Sequence, residues 1–426
     1  MEIRPLRDNE MGQARTLWET CFQDHPAFLD WYFRRRFQSR DGLGIFLDGR
    51  LLSMLHLSPR QVKIRKRFYP SAYLLALATA PAFRHLGLAR TLLTYALRQL
   101  AARQIFFTFL LPFNIGFYTR LGWGDWADHR LYLFPAALPR QTDDSFPSSG
   151  PWRFSEAKPG PQLLAEIYRH YLASWDGGLV RNETDWTCLL LDHSLDGGKI
   201  WLGGPASPVE SITVKNPVAY ALVLPGSPGG RPLLREMAWM DPQIKEAFLR
   251  HLISCYANSS AAILPESGPL PAGTDPAREN NPERQHPGTV GFPGRDRQTC
   301  HLTPYHLPGT QPVFLGRITS VRAALTALAY PPLTAAWSMA VADPLLPENN
   351  GIYHLKLTNG KMEVTKTAGE KPDLLCSVGA LTALITGRES IPVLLERGDL
   401  TLLTEELFPL LNQLFPPANN FVNEYF

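Results

Sequence analysis

The sequence predicts an α/β protein in three blocks, the last of them α+β in character. Three observations carry this. Strand-period and helix-period segments alternate through residues 1–139. A strand–turn–helix order returns at the end of residues 151–270. In residues 312–426 strands are grouped before helices.

Composition sets the limits of this reading. The chain has 426 residues, 45% apolar and 19% charged, which is enough for several cores. A net charge of +3 does not suggest a nucleic-acid binder, which concentrates basic residues on one face. No apolar run approaches the roughly 18–20 residues of a membrane span. The polar start, MEIRPLRDNE, does not resemble a signal peptide, so a cytoplasmic protein is expected. The five cysteines, Cys21, Cys188, Cys255, Cys300 and Cys376, are scattered and never spaced as CxxC. They predict neither a zinc site nor a disulfide framework, and no metal is expected.

In the first block, EMGQARTLWETCF has a helical period. LGIFLDGRLLSMLHL reads as two strands around Asp48-Gly49, and QIFFTFLLP as a buried strand. LPRQTDDSFPSSGP reads as a linker. In the second block GPQLLAEIYRHYLASW and PQIKEAFLRHLISCY are helical, and PVAYALVLP and PLLREMAWM are strands. A Pro-, Gly- and charge-rich segment follows over residues 271–311 and reads as a solvated insertion or linker. In the third block, GIYHLKLTNGKMEVTK alternates on both sides of Asn359-Gly360, a pair suited to a two-residue hairpin turn. VGALTALITGRESI and LTEELFPLLNQLF read as helices.

The segment that carries chemistry is AYLLALATAPAFRHLGLARTLLTYALRQL. A short apolar strand stops at Pro81, and an amphipathic helix follows with Leu88, Leu92, Leu93, Ala96, Leu97 and Leu100 on one face. Gly87 lets backbone approach a ligand closely, because no Cβ intervenes. The amides from His85 to Ala89 then open the helix and suit a phosphate, with Arg84 and Arg90 adding positive charge. Neither GxGxxG nor GK[ST] is present, so this is not a dinucleotide fingerprint or a P-loop. Downstream, LLPFNIGFYTRLGW brings Asn114 and Tyr118 after a buried strand.

The pattern Arg84-x-x-Gly87-x-Ala89, after a strand and before a helix, resembles the pyrophosphate-binding motif of GCN5-related N-acetyltransferases (GNATs). With FYTRLGW, REMAWMD, GIYHLKL, LLERGDL and the end NNFVNEYF, nearly the whole chain resembles the enhanced intracellular survival (Eis) family. That resemblance implies two GNAT-like mixed-sheet domains, residues 1–139 and 151–270, followed by a sterol carrier protein-like α+β domain over 312–426. It implies acetyl-CoA as co-substrate. Leu77, Ala78 and Thr79 would offer strand backbone to the pantetheine. Arg84, His85, Leu86, Gly87, Leu88, Ala89 and Arg90 would surround the pyrophosphate, with Phe113 and Asn114 beside the acetyl end.

The resemblance also implies Tyr118 as general acid and the C-terminal carboxylate, here Phe426, as general base. A phenol stays protonated at neutral pH and can protonate a departing thiolate. An α-carboxyl is a weak base when exposed, and burial among Phe421, Tyr425 and Phe426 would raise its pKa toward a useful range. Asp24, Asp30 and Glu424 are expected contacts for a cationic acceptor: an aminoglycoside, a polyamine or a lysine side chain. The second GNAT-like domain lacks the glycine and carries Asp241 and Glu246 where phosphate would lie, so it is expected to be degenerate. A homo-oligomer, the hexamer included, is the expected assembly. The competing expectation is a non-catalytic acyl-CoA- or lipid-binding protein on the same fold.

Overall fold

The computed structural model describes residues 1–22, 24–134, 150–206, 214, 216–225, 231–256, 302–304 and 313–424. The first block forms β1 (Glu2–Pro5), α1 (Met11–Cys21), α2 (Pro26–Arg35), β2 (Gly42–Leu47), β3 (Arg50–Ile64), β4 (Arg67–Thr79), α3 (Leu88–Ala102), β5 (Phe107–Leu110), α4 (Ile115–Thr119), β6 (Gly124–Asp128) and β7 (Tyr132–Leu133). Asp48 and Gly49 take φ of 49° and 78°, the left-handed pair that a tight antiparallel turn requires, and β2 and β3 pair across them. The α3 stripe read from the sequence is buried at every position, from Leu88 to Leu100, against the strands. Each such leucine contributes about 1.5–3 kcal/mol by leaving water.

The second block forms β8 (Trp152–Ala157), α5 (Pro161–Ala173), β9 (Gly177–Val180), α6 (Glu183–Leu195), β10 (Lys199–Pro205), β11 (Ala219–Leu224), β12 (Leu233–Trp239) and α7 (Ile244–Tyr256), with β13 (Thr303–Pro304) after it. Its sheet runs β13-β7-β12-β11-β10-β8. Leaving β9 aside, the chain order of strand, two helices, three strands and a helix repeats that of β1 to α3. The spatial order β8-β10-β11-β12 likewise repeats β1-β2-β3-β4. The second domain is therefore built on the same plan as the first.

The third block forms β14 (Val313–Ile318), α8 (Val321–Ala327), β15 (Thr334–Ala342), β16 (Gly351–Thr358), β17 (Lys361–Thr367), β18 (Leu374–Ser377), α9 (Val378–Thr386), α10 (Ile391–Glu396), β19 (Leu400–Leu402), α11 (Phe408–Leu414) and β20 (Asn420–Phe421). Its own sheet is β17-β16-β15-β18-β19. Asn359 and Gly360, with φ of 47° and 78°, turn β16 into β17 as their sequence suggests.

Sequence blocks and sheets do not coincide. β14 lies between β5 and β6 in the first sheet, which runs β1-β2-β3-β4-β5-β14-β6. Arg317 of β14 is ion-paired with Asp343, just after β15, at 2.6 Å, and both side chains are fully buried. β7, from the first block, lies in the second sheet, and β9, from the second, pairs with β3. Helix α9 is buried along its whole length, and it packs on β6 and β14. A helix that is apolar on all sides needs such enclosure. The approach is backbone to backbone: a Cβ at Gly124 would overlap the carbonyl oxygen of Gly379. Most of the expected insertion, and the chain end Tyr425-Phe426, lie outside the described residues.

Candidate active site

Strands β4 and β5 are parallel neighbours, paired at Ala72–Thr108 and Tyr73–Phe109. Beyond that pair they part. β4 continues to Thr79 along β3, while β5 ends at Leu110. The gap opens on the backbone of Leu77, Ala78 and Thr79. Opposite β3, the ladder slips between Met54–Ala78 and His56–Leu75, so Ala76 and Leu77 form a bulge. Ala76 takes φ 53°, a conformation uncommon for a residue with a Cβ. A bulge takes residues out of the ladder and re-aims their backbone groups. Sequence reading missed this feature, because neither glycine nor proline marks it.

The end of β4 is fixed by side chains behind it. Ser53 Oγ donates to the Ala78 carbonyl at 2.8 Å and lies 2.9 Å from Thr79 Oγ1. A single helical turn, Pro81–Phe83, then leads to the start of α3. His85 and Gly87 take φ of 65° and 77°. These left-handed residues bend the chain so that Leu88 begins the helix. The first-turn N–H groups of α3 have no carbonyl partner inside the helix, and they share the positive end of its dipole. A Cβ at Gly87 would meet nothing within 4 Å, so the space in front of it is open.

Arg84, His85, Leu86 and Arg90 are exposed around this turn, Leu88 is buried beneath it and Ala89 is half-buried. Arg84 donates to the Thr79 carbonyl at 3.3 Å, and Arg90 to the Pro344 carbonyl of the third block at 2.6 Å. Arg50, which the sequence reading did not single out, holds its guanidinium 5.8 Å from the centroid of Phe83. The turn thus combines free amides with three arginines and a histidine, an arrangement suited to a polyanion.

Beyond β5, Asn114 caps α4 by accepting from the Phe117 amide at 2.9 Å. This fixes the turn that carries Tyr118. The Tyr118 ring is buried among Phe117, Phe113 and Trp123, at centroid distances of 5.0, 5.9 and 5.9 Å. Phe113 itself is exposed. Burial pushes the Tyr118 phenol well above its ordinary value, so it stays protonated at neutral pH. Among the described residues its hydroxyl has no hydrogen-bond partner. It is a proton donor without an internal acceptor.

The three expected acceptor contacts lie in different surroundings. Asp24 is exposed and accepts from Trp18 Nε1 at 2.7 Å. Asp30 is ion-paired with Arg15 at 2.6 Å, which lowers its pKa. Glu424 is buried and faces Arg181 at 3.4 Å, so it is an internal group and not one offered to solvent. Burial pushes its carboxyl up, against the opposing pull of Arg181 and Arg36. The proposed base, Phe426, falls outside the described residues, but the segment before it is held. Asn420 Nδ2 donates to the Trp126 and Thr386 carbonyls at 3.1 Å each. β20 pairs in parallel with β9, and Val422 bridges to His129. Among the described residues no helix is long and apolar enough to cross a membrane.

Comparison with known proteins agrees with this geometry. Residues 2–125 match the acetyltransferase (GNAT) domain family, and residues 321–423 match the sterol carrier protein domain family. No curated protein matches the sequence. Among solved structures, a GCN5-related N-acetyltransferase from Anabaena variabilis superposes with a TM-score of 0.74 at 19% identity, covering 100% of both chains. A probable N-acyltransferase from Enterococcus faecalis V583 gives 0.72 at 18% identity, covering 100% of this chain and 99% of its own. Eis1 from Mycobacterium abscessus gives 0.70 at 19% identity, covering 100% of both chains. The chain therefore carries an N-terminal acetyltransferase domain of the GNAT family and a C-terminal sterol carrier protein domain, and over its whole length it has the fold of Eis1.

Proposed function

We propose that the protein is an acetyl-CoA-dependent N-acetyltransferase that acts on an amine acceptor by direct transfer. The observation that carries this reading is the parting of β4 and β5, with the bulge at Ala76 on β4 and Tyr118 on α4, the helix that follows β5. In this reading the backbone of Leu77, Ala78 and Thr79 bonds the pantetheine. The amides from His85 to Ala89 hold the pyrophosphate, with Arg84, Arg90 and Arg50 neutralising its charge. Backbone N–H groups of the bulge polarise the thioester carbonyl as charge develops on its oxygen. Phe113 and Asn114 flank the acetyl end.

The acceptor amine approaches from the α1–α2 side, where Asp24 and Asp30 are its contacts. The carboxylate of Phe426 takes a proton from the acceptor's ammonium, the amine so freed attacks the thioester carbon, and Tyr118 gives its proton to the leaving sulfur. The unpartnered hydroxyl of Tyr118 supports its part. The docking of residues 419–424 supports that of the tail. The test is a screen of polyamines, aminoglycosides and lysine peptides for acetyl-CoA-dependent thiol release. Acetylated product with stoichiometric thiol bears the reading out. Tight CoA binding without thiol release from any amine would replace it with a binding protein.

A further inference from the structure

The repeated plan lets the two domains be compared strand by strand. In the first, β4 pairs with β5 at Ala72 and Tyr73, then runs on to Thr79 past the end of that pairing. In the second, β12 pairs with β7 at Leu233 and Leu234, here antiparallel where β4 and β5 are parallel, then runs on to Trp239 past the end of that pairing. Each strand leads into a helix, α3 or α7. The freed stretch of β4 is the edge that takes acetyl-CoA in the reading above. Against the freed stretch of β12 lies the chain's own C-terminal segment, held there through the side chain of Asn423.

The occupation is specific. Asn423 Nδ2 donates to the carbonyl of Arg235 on β12. Arg181 donates to the carbonyl of Asn423, and to both oxygens of Glu236 at 2.7 and 2.8 Å. Tyr220 donates to the same Glu236 at 2.6 Å. The Arg181 guanidinium is fully buried and lies 4.6 and 5.0 Å from the ring centroids of Tyr168 and Trp186. Phe421 packs on Tyr171 and Trp175 at 5.2 and 5.3 Å. Where the first domain presents Arg84 and Gly87, the start of α7 presents Asp241 and Glu246, which repel a phosphate.

The end of this segment points back to the first sheet. Arg36 and Asp185 act electrostatically on Glu424. Arg36 and Arg60 both reach Asp185, at 2.8 and 3.5 Å. Arg60 in turn lies 5.9 Å from the ring of Tyr73, the residue at which β4 and β5 part.

We propose that the second domain's strand edge, the counterpart of the cofactor edge of the first, is a receptor for residues 419–424, with Arg181 and Asn423 as positioning residues for acetyl transfer. This rests on the N-acetyltransferase reading. Side-chain bonds to a strand's backbone fix where a chain end lies: Asn423 anchors the segment to β12, while the segment's own backbone pairs with β9. This makes the degenerate domain the part that sets where the tail enters the catalytic cleft.

The test uses full-length Asn423→Ala and Arg181→Lys proteins. It reads kcat, KM for acetyl-CoA, the pH profile of kcat, and amide hydrogen exchange in residues 419–424. Expected are a fall in kcat of tenfold or more, a KM for acetyl-CoA within about twofold of wild type, an alkaline shift of the profile and faster exchange in the segment. A wild-type kcat and profile would overturn the proposal. So would a fall in kcat with an unshifted profile, since that marks a purely structural role. If Arg181→Lys fails to fold, Asn423→Ala, which removes one hydrogen bond to the strand, decides alone. If the wild-type protein turns over no amine, the N-acetyltransferase reading fails by itself and exchange becomes the criterion. Faster exchange confined to 419–424 in Asn423→Ala then supports the receptor, and unchanged exchange overturns it.

Discussion

Replacing Tyr118 with Phe removes one oxygen and nothing else. The ring contacts with Phe113, Phe117 and Trp123 depend on the ring, and Phe keeps it. The lost hydroxyl has no partner among the described residues, so no donor or acceptor there is orphaned. Stability should therefore change by no more than about 1 kcal/mol, since none of the mechanisms behind large losses applies. A general acid contributes roughly 10²- to 10⁴-fold. At 1.36 kcal/mol per factor of ten, the transition state loses about 2.7–5.4 kcal/mol. The assay is thiol release at saturating acetyl-CoA and amine, with CoA affinity by calorimetry and the melting temperature alongside. A low kcat with unchanged affinity and melting temperature is expected. A kcat within about threefold of wild type would remove Tyr118 from the mechanism, since general-acid loss costs at least about 10²-fold.

Gly87→Glu puts negative charge on a residue with φ 77° at the opening of α3. CoA affinity should be lost by calorimetry. Folding should survive with a strain of roughly 1–3 kcal/mol, because the added side chain meets open space. Unchanged affinity would show that the pyrophosphate lies elsewhere. Gly124→Ala drives a methyl into the Gly379 carbonyl, where β6 meets α9. Overpacking of about 1–3 kcal/mol should lower the melting temperature, and an unchanged value would mean that this junction gives easily. Burial lowers the pKa of His56 to about 3 and those of His129 and His193 to about 4. Depressed folded-state values mean stability that is present above about pH 6.5 and lost as pH falls toward 4. At pH 5 the loss is roughly 2 kcal/mol per histidine. Glu424 and Asp192, raised by burial, act in the opposite sense and keep the total below the sum. Chemical denaturation at pH 7.5 and pH 5 reads this directly, and equal stabilities would contradict it.

The site was partly legible because some of its signals are local. Gly87 and the α3 stripe lie within a few residues of one another, and their spacing alone specifies a turn followed by an amphipathic helix. Asn114 and Tyr118 follow a strand that is apolar throughout, which suffices to order them in the chain. Asn359-Gly360 and Asp48-Gly49 fix hairpins for the same reason, since Gly, Asn and Asp accept the left-handed backbone there more readily than other residues. The bulge at Ala76 had no such mark. Its φ is imposed by the register of β3 against β4, and alanine neither favours nor forbids it strongly enough to be read.

What the sequence by itself determined is the order of the elements, the position of the glycine turn that opens α3 and the apolar faces that would be buried. Only the tertiary structure decided that β14 completes the first sheet, that β7 belongs to the second, and that Glu424 is buried beside Arg181. It also decided that the tail lies on β12. The physical reason is that strand pairing is made by backbone groups, which every residue carries alike. Arg235 offers its carbonyl to the side chain of Asn423, 188 residues further along the chain, and nothing near either residue in the sequence marks the other as its partner. It follows from which strand edges are left open once the local elements have packed.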